Sequence, residues 1–579
     1  MMKQNLSHLL RCAPAVVFLA ASMQTLAAPT PADIEAARQQ QEQVQRQQQE
    51  QLLRDQRMRP ALPKAPSGID TEALVPKVDA TQAAGKCRNI SDIDIKGAPN
   101  IARTLPMQIQ QNFVGRCLGV AEVEQILAEI TRSYVLRGYV TTRAYLPAQD
   151  LSKGKLEILV VEGRIGKLRI EEKGRKGFRV GNTIPSKEGD ILNLRDLEQG
   201  IDQINRLQSN RAMLDIAPGS EPGLSEVIIR NNVEKFHRWT LSADNQGSLS
   251  TGKTQVGLSV STDSILGLSE FMLLTHRESV PEDRSFKHSK SDSFMFAIPY
   301  GYNTFTYNGS VSSYLTTLRA PSGLNLKSNG DSTSNSLSWD RVVYRNQSTR
   351  ASLASTYTLK DSKNYLEGQF LGVSSRKLAV LDLDGSVTTG LGKGVLGINL
   401  GWARGVTGGG ALRDPKGLPD FAPRAQFEKL KYGANYFIPF QGAGQDWTFS
   451  SSLTGQKAAN TLYGSEQISI GGIYSVRGFV KNTLAGDSGY YLRNDLSMRQ
   501  VFRPAGTALA VRWYAGLDMG SVRNRAAGVP QGALVGSALG ASINWNGGNW
   551  DISSTCALAT PQGVEKEGCQ TWFRLSYSL

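Results

Sequence analysis

The C-terminal part of the chain, residues 237–579, has a period-two pattern of apolar and polar residues that does not fit a helix. Segments of roughly ten residues alternate in this way, and Gly-rich polar turns separate them. In Leu509–Met519, for example, apolar residues alternate with Arg512, Gly516 and Asp518. Because successive strand residues point to opposite faces, these segments predict a transmembrane β-barrel of about 16 antiparallel strands with a polar lumen. A secreted β-sandwich or β-helix is the alternative.

The first 28 residues predict a secretory signal peptide. Lys3 and Arg11 precede the short apolar stretch Ala13–Ala21, and small residues lead into Pro29. A buried helix at the start of a cytosolic domain is the alternative. A helical membrane protein is excluded, because the stretch is too short to span a bilayer and the mean hydropathy of the whole chain is −0.29. The chain is basic, with a formal net charge of +14.

Residues 29–58 have the pattern of a polar helix. Nine Gln fall within Gln39–Gln51, and only Ala36, Val44 and Leu52–Leu53 supply a thin apolar stripe. Because an ordinary core cannot hold a helix this polar, it is predicted to lie in solvent or in a water-filled space. Residues 59–86, with four Pro, read as a linker without periodicity.

Two compact α+β modules are predicted between the linker and the barrel, over residues 87–163 and 164–236. Each has the order β-α-β-β, and each helix has apolar residues at helical spacing. The predicted elements of the two modules are strand 90–95, helix 123–134, strands 139–145 and 156–161, then strand 168–170, helix 194–207 and strands 213–216 and 225–229.

The cysteines predict two disulfides in an oxidising compartment. Four of them remain after the signal peptide, spaced as Cys87/Cys117 and Cys556/Cys569, and four cysteines allow three connectivities. We expect the pairs Cys87–Cys117 and Cys556–Cys569. The chain has no CxxC and its four His are scattered, so we expect no metal site.

Two short motifs suggest chemistry that their context does not support. Gly247–Thr254 matches the P-loop pattern GxxxxGK[ST], but Gln255–Ser261 then alternates as a strand instead of opening a helix. It therefore predicts a hairpin turn and no bound nucleotide. Gly486–Gly489 is similar to a serine-protease nucleophile segment, but no His has the context of a catalytic base. It predicts a turn, and no enzyme is expected.

A family resemblance comes from the segments Val476-Arg477-Gly478-Phe479 and Gly516-Leu517-Asp518-Met519-Gly520. They resemble the VRG[FY] loop tip and the FxDxG strand motif of the two-partner secretion outer-membrane transporters (the TpsB family), which are related to the barrel-assembly factors. Gly516 departs from the second motif, in which Phe is usual. The polar helix, the two modules, which resemble POTRA domains, and the barrel also follow in family order.

The residues themselves suggest that Arg477 pairs with Asp518. Asp518 shares a strand face with Gly516 and Arg512, so it is expected in the lumen, where it would attract a cation. An infolded loop tip would bring Arg477 there as a bidentate partner. In a wet lumen such a pair contributes about 0–1 kcal/mol, so its expected role is to position the loop. The alternative is that Arg477 is one of many pore-lining arginines.

The resemblance implies a pore in the Gram-negative outer membrane, with its N-terminal domains in the periplasm, that exports one partner without ATP. The partner is a large secreted exoprotein whose N-terminal secretion domain the modules capture by strand addition. The polar helix occupies the resting lumen. Outer-membrane lipid surrounds the barrel, and the barrel-assembly machinery and periplasmic chaperones act during biogenesis. No cofactor, nucleic acid or nucleotide is implied.

Two alternative functions remain from the sequence. One is an assembly factor or insertase for other outer-membrane proteins, although such proteins generally carry more POTRA modules and lack the helix and linker. The other is a passive diffusion porin, which has no periplasmic modules.

Overall fold

The computed structural model describes residues 30–41, 71–76, 87–173, 180–506 and 508–579. The predicted signal peptide, residues 42–58 of the predicted polar helix and most of the linker lie outside these ranges. Residues 31–41 form helix α1. Among the described residues, no helix is both long and apolar enough to cross a membrane.

The first module is an α+β unit built around a mixed three-stranded sheet of order β2-β5-β4, beside the short antiparallel pair β1-β3. The predicted amphipathic helix is confirmed as α3, which buries Val123, Ile126, Ile130 and Tyr134. The elements are β1 Arg88–Ile90, β2 Asp92–Lys96, α2 Leu105–Phe113, β3 Arg116–Leu118, α3 Val120–Leu136, β4 Arg143–Tyr145 and β5 Lys155–Val161.

Several features of this module differ from the sequence prediction. The predicted strand 90–95 is interrupted at Ser91, between the end of β1 and the start of β2, and β3 was not predicted. The predicted strand 139–145 contains only β4, because the backbone turns at Gly138 (φ 99°) and the Thr142 N–H donates to the carbonyl of Tyr139. Helix α2 was not predicted. It buries only Ile109 and Phe113, so its nine residues carry too short an apolar pattern to be recognised.

The second module repeats the arrangement, with a sheet of order β6-β8-β7. Its predicted helix and strands are all present. Helix α5 buries Leu194, Leu197, Ile201 and Ile204 against the sheet. The elements are β6 Arg164–Lys173, α4 Val180–Thr183, α5 Leu194–Asn205, β7 Ala212–Pro218 and β8 Leu224–Asn232.

The third part is a closed barrel of 16 antiparallel strands, as predicted, in which the last strand pairs with the first. A two-residue strand, β16 (Gln369–Phe370), pairs with the end of β15 and adds no wall. The wall strands are β9 His237–Asp244, β10 Gln255–Asp263, β11 Phe271–Ser279, β12 His288–Tyr300, β13 Asn303–Arg319, β14 Asn325–Arg345, β15 Thr349–Leu366, β17 Arg376–Leu391, β18 Gly394–Val406, β19 Glu428–Gly442, β20 Gln445–Ala458, β23 Ser488–Phe502, β24 Leu509–Arg523, β25 Gly532–Trp545, β26 Gly548–Ala559 and β27 Gln570–Ser578.

The strands are less uniform than the expected ten residues, since β9 has 8 residues and β14 has 21. Side-chain hydrogen bonds between neighbouring strands, such as Ser332–Ser362 and Ser338–Thr356, add to the backbone pairing of the long strands. The P-loop-like segment lies between β9 and β10, which confirms that it is a turn.

Helix α5 of the second module docks on the turns at one end of the barrel, which we call the module end; the other is the far end. Burial, reinforced by the hydrogen bond to Asp196, raises the pKa of Tyr302, so its hydroxyl stays a donor. The contacts of the interface are Gln203 with Gly301 and Thr304, Arg206 with the carbonyl of Ser269, Tyr302 with Asp196, and Arg345 with Asp202.

Candidate functional site

The long connection between β20 and β23, residues 459–487, folds back into the barrel from the far end; we call it the infolded loop. Its two limbs pair as β21 (Ile468–Ile470) and β22 (Leu484–Gly486). The tip between them carries the four predicted motif residues, Val476, Arg477, Gly478 and Phe479. All four are buried.

At the tip, Arg477 binds Asp518 of β24 through three hydrogen bonds. Its Nε and Nη2 donate to the two carboxylate oxygens at 2.6 and 2.7 Å, and its backbone N–H donates to Oδ2 at 3.0 Å. Asp518 is 0% exposed and Arg477 is 3% exposed. The expected wet environment is therefore wrong, since the loop itself excludes solvent from the pair. The bidentate geometry fixes both the position and the orientation of the tip.

A second carboxylate, on Asp495 of the neighbouring strand β23, lies 2.8 Å from Nη2 of Arg477. No role for Asp495 was predicted from the sequence. A signal was present, because Asp495 shares the lumenal face of β23 and its register partner on β24 is Gly516. One guanidinium thus bridges two acids on adjacent strands.

Glycines make room for the tip in the barrel wall. A Cβ at Gly536 of β25 would lie 1.7 Å from the carbonyl oxygen of Arg477, and one at Gly516 would lie 2.2 Å from Nη2. A Cβ at Gly478 would lie 2.4 Å from the backbone of Cys556, and Gly478 has a φ of 103°. At Gly520 a Cβ would meet Val476 at 3.0 Å. The wall therefore admits the tip only where side chains are missing.

The apolar tip residues anchor the same loop. Phe479 and Val476 are fully buried in a cluster with the loop strands and the wall. Its other buried members are Ile468, Ile470, Leu484, Val522, Leu534 and Ala557. Burying one such aromatic side chain stabilises the packed state by about 1.5–3 kcal/mol.

The descending limb is tied to another part of the wall by Glu466. Its carboxylate binds Lys360 of β15 at 2.6 Å and Lys429 of β19 at 3.0 Å, and it is buried. No motif marked these three residues, because they lie far apart in sequence and become neighbours only when the barrel closes. The infolded loop is therefore held by β15 and β19 at its descending limb and by β24 at its tip.

Helix α1 lies inside the far end of the barrel, against β13, β14 and β15. Gln40 and Gln41 donate to Thr316 and Ser328 at 3.0 and 2.7 Å. The helix was predicted to lie in solvent or in a water-filled space, but one of its residues, Ala37, is fully buried against apolar wall residues. Its buried apolar neighbours are Leu318, Ala320, Leu326 and Leu366.

Below this helix the wall is lined by hydroxyl groups and paired charges. A cavity of about 470 Å³ lies against this part of the wall. Its charged side includes Lys431, which binds Asp382 at 2.6 Å. The hydroxyl residues are Ser310, Ser312, Ser332, Ser334, Ser336 and Thr358.

The structure pairs Cys87 with Cys117 and Cys556 with Cys569. The first disulfide joins the segment before β1 to β3, and the second closes the connection between β26 and β27 at the far end. Among the described residues, no cluster of His, Cys, Asp and Glu could hold a metal ion.

A membrane barrel with two α+β modules docked at one end and a loop locked in its lumen is the architecture of an outer-membrane protein transporter. Residues 223–543 match the family model of the haemolysin secretion/activation protein ShlB/FhaC/HecB. Residues 88–163 match a ShlB-type POTRA domain, and residues 164–218 match a further POTRA domain.

Whole-chain relatives agree with these matches. The outer membrane transporter CdiB of Dickeya dadantii is 31% identical over 86% of this chain and 87% of its own. The haemolysin transporter protein ShlB of Serratia marcescens is 30% identical over 87% and 88%. The solved structure of CdiB from Escherichia coli, 29% identical, superposes with a TM-score of 0.81 over 96% of this chain and all of that one.

The chain belongs to the ShlB/FhaC/HecB family of two-partner secretion transporters. The family assignment, the barrel and the POTRA domains predicted from sequence are confirmed. The module end therefore lies in the periplasm and the far end at the cell surface. Transporters of this family work with large exoprotein partners.

Proposed function

We propose that this chain exports one large exoprotein, recognised in the periplasm by its N-terminal secretion domain, and that it acts as a pore and not as an enzyme. The observation that carries the proposal is a 16-stranded lumen closed by two removable elements, helix α1 and the infolded loop. Neither element belongs to the wall, so both can leave while the barrel stays closed. The barrel-assembly machinery and periplasmic chaperones insert the chain, and no nucleotide or nucleic acid takes part.

The lining suits an unfolded polypeptide. Hydroxyls on β13, β14 and β15 offer donors and acceptors to a passing backbone, and some of them pair with one another, as Ser332 does with Ser362 at 3.1 Å. The hydroxyl-lined part of the wall satisfies a polar chain without holding it by charge or by apolar burial. Folding of the partner outside the cell supplies the direction in the absence of ATP.

An exposed strand edge supports capture in the periplasm. Strand β7 pairs with β8 on one side only. The backbone carbonyl of Arg211 accepts a hydrogen bond from the N–H of Asn232, so the backbone groups of Arg211 face β8. Because the backbone groups of successive strand residues point to opposite sides, those of Leu214 and Ile216 point away from the sheet. Within the described part of the chain these groups have no partner. An incoming strand of the secretion domain can pair with them.

Comparing the gene deletion with its wild-type complement tests the function directly. The secreted and outer-membrane proteins are quantified by mass spectrometry. We expect the loss of one very large polypeptide from the surface or medium and unchanged levels of other barrel proteins. A general fall of barrel proteins with normal secretion would instead identify an assembly factor.

A further inference from the structure

The last surface loop, residues 560–569 between β26 and β27, covers the segment that follows the tip of the infolded loop. The Glu567 carboxylate accepts hydrogen bonds from three consecutive backbone N–H groups, those of Val480, Lys481 and Asn482, at 2.8–3.1 Å. The Asn482 side chain donates to the carbonyl of Glu565 at 2.9 Å.

These contacts involve none of the residues of the lumenal ion pair. Arg477 is held by Asp518 on β24, whereas Glu567 holds the next residues from the surface side. Val564 of the same surface loop packs against the apolar cluster around Phe479. The surface loop therefore holds the infolded loop from the side opposite to the lumenal ion pairs.

The disulfide determines where Glu567 can reach. Cys556 lies in β26 against Gly478, and Cys569 stands two residues after Glu567. The bond thus ties the surface loop to the strand that touches the tip. Without it, the loop ends would be joined only through the β26–β27 ladder, which starts at Thr555 and Gln570.

We propose that Glu567 is a positioning residue that clamps the infolded loop from the cell surface, and that the Cys556–Cys569 disulfide keeps this clamp in register. A carboxylate suits three converging N–H groups because hydrogen bonds to an ionised acceptor are about twice as strong as neutral ones. Opening of the lumen then requires release at this surface anchor as well as at the lumenal ion pairs of Arg477 and Glu466. This goes beyond the export function, and its test needs no exported partner.

The test uses trypsin on intact cells that carry the full chain, with cleavage after Lys481 mapped by peptide termini at early time points. Lys481 is exposed, but its backbone is bound to Glu567 and cannot enter a protease site until the clamp opens. Glu567→Gln should raise the cleavage rate by about tenfold or more, because a neutral amide accepts these bonds less strongly. The matched control is Glu565→Gln, which removes the same charge from an exposed side chain in the same loop.

A second arm uses a Cys87→Ser/Cys117→Ser background, in which only the surface disulfide remains. Dithiothreitol should raise cleavage after Lys481 as Glu567→Gln does, and it should add little to that variant. This arm is applied to assembled barrels, so it stands even where Glu567→Gln lowers assembly, as read from heat-modifiable mobility. Wild-type cleavage in Glu567→Gln, an equal rise in Glu565→Gln, or a full additional effect of reduction would overturn the proposal.

Discussion

Removing the Arg477 side chain should release the tip of the infolded loop while the barrel remains intact. Arg477→Ala keeps the backbone hydrogen bond to Asp518 but removes the two side-chain bonds and the contact with Asp495. Asp518, at 0% exposure, then lies beside a second acid without a cation. Loss of one partner of a buried ion pair costs about 3–5 kcal/mol, which corresponds to a roughly 10²- to 10⁴-fold shift toward the open loop.

Hydrogen exchange of the purified full-length protein in detergent measures this shift. Backbone amides of residues 471–483 should exchange faster, and those of the wall strands should not change. Arg523→Ala is the matched control, since Arg523 is an exposed arginine on the same strand as Asp518. Arg477→Lys should restore only part of the protection of these amides from exchange, because an ammonium cannot bind both oxygens of Asp518 in the bidentate way of a guanidinium.

The double variant decides whether the two residues act as one anchor. Arg477→Ala with Asp518→Ala should be no worse than Arg477→Ala, because the second change removes the stranded charge. Partner export should fall in all three variants while the barrel still resists heat in detergent. Additive losses in the double variant, or unchanged exchange in Arg477→Ala, would refute the anchor.

Three further outcomes are expected. Gly536→Ala should block insertion of the tip, since its Cβ would lie 1.7 Å from the Arg477 carbonyl oxygen. The control Gly397→Ala, whose Cβ has no atom nearer than 3.9 Å, should not alter hydrogen exchange in the infolded loop. Deleting Ala32–Met58 should raise ion conductance in planar bilayers, and unchanged conductance would mean that the segment does not block the pore. Ile216→Pro should reduce export more than Ile216→Ala, because both lose the side chain but only proline loses the outward N–H; equal effects would argue against strand addition.

The sequence predicts the barrel and the amphipathic helices because their periodicity is local. Strand alternation and the helix face of Val123, Ile126 and Ile130 are visible within a few turns of chain. Helix α2 could not be predicted from Ile109 and Phe113 alone. The burial of Ala37 also could not be predicted, because it depends on wall residues nearly 300 positions away, Leu318 and Leu326.

Only the part of the site that is formed by the motif residues could be predicted from the sequence. The pairing of Arg477 with Asp518 follows from the alternation of residues along β24 and from an infolded loop. The burial of the pair, however, depends on how the whole tip packs against the wall. Glu466 and its two lysines, and Glu567 with its three amides, have no sequence signal, since each joins elements that only the closed barrel brings together.

Gly516 shows how a departure from a motif can report on its surroundings. Phe is usual at this position in the family motif, whereas in this chain a Cβ alone would lie 2.2 Å from Nη2 of Arg477 and 2.5 Å from Oδ1 of Asp495. The space that a side chain would fill is thus the space in which the guanidinium meets its second acid. The missing aromatic and the contact between Arg477 and Asp495 are therefore one arrangement, and a side chain restored at Gly516 would have to displace the arginine from Asp495.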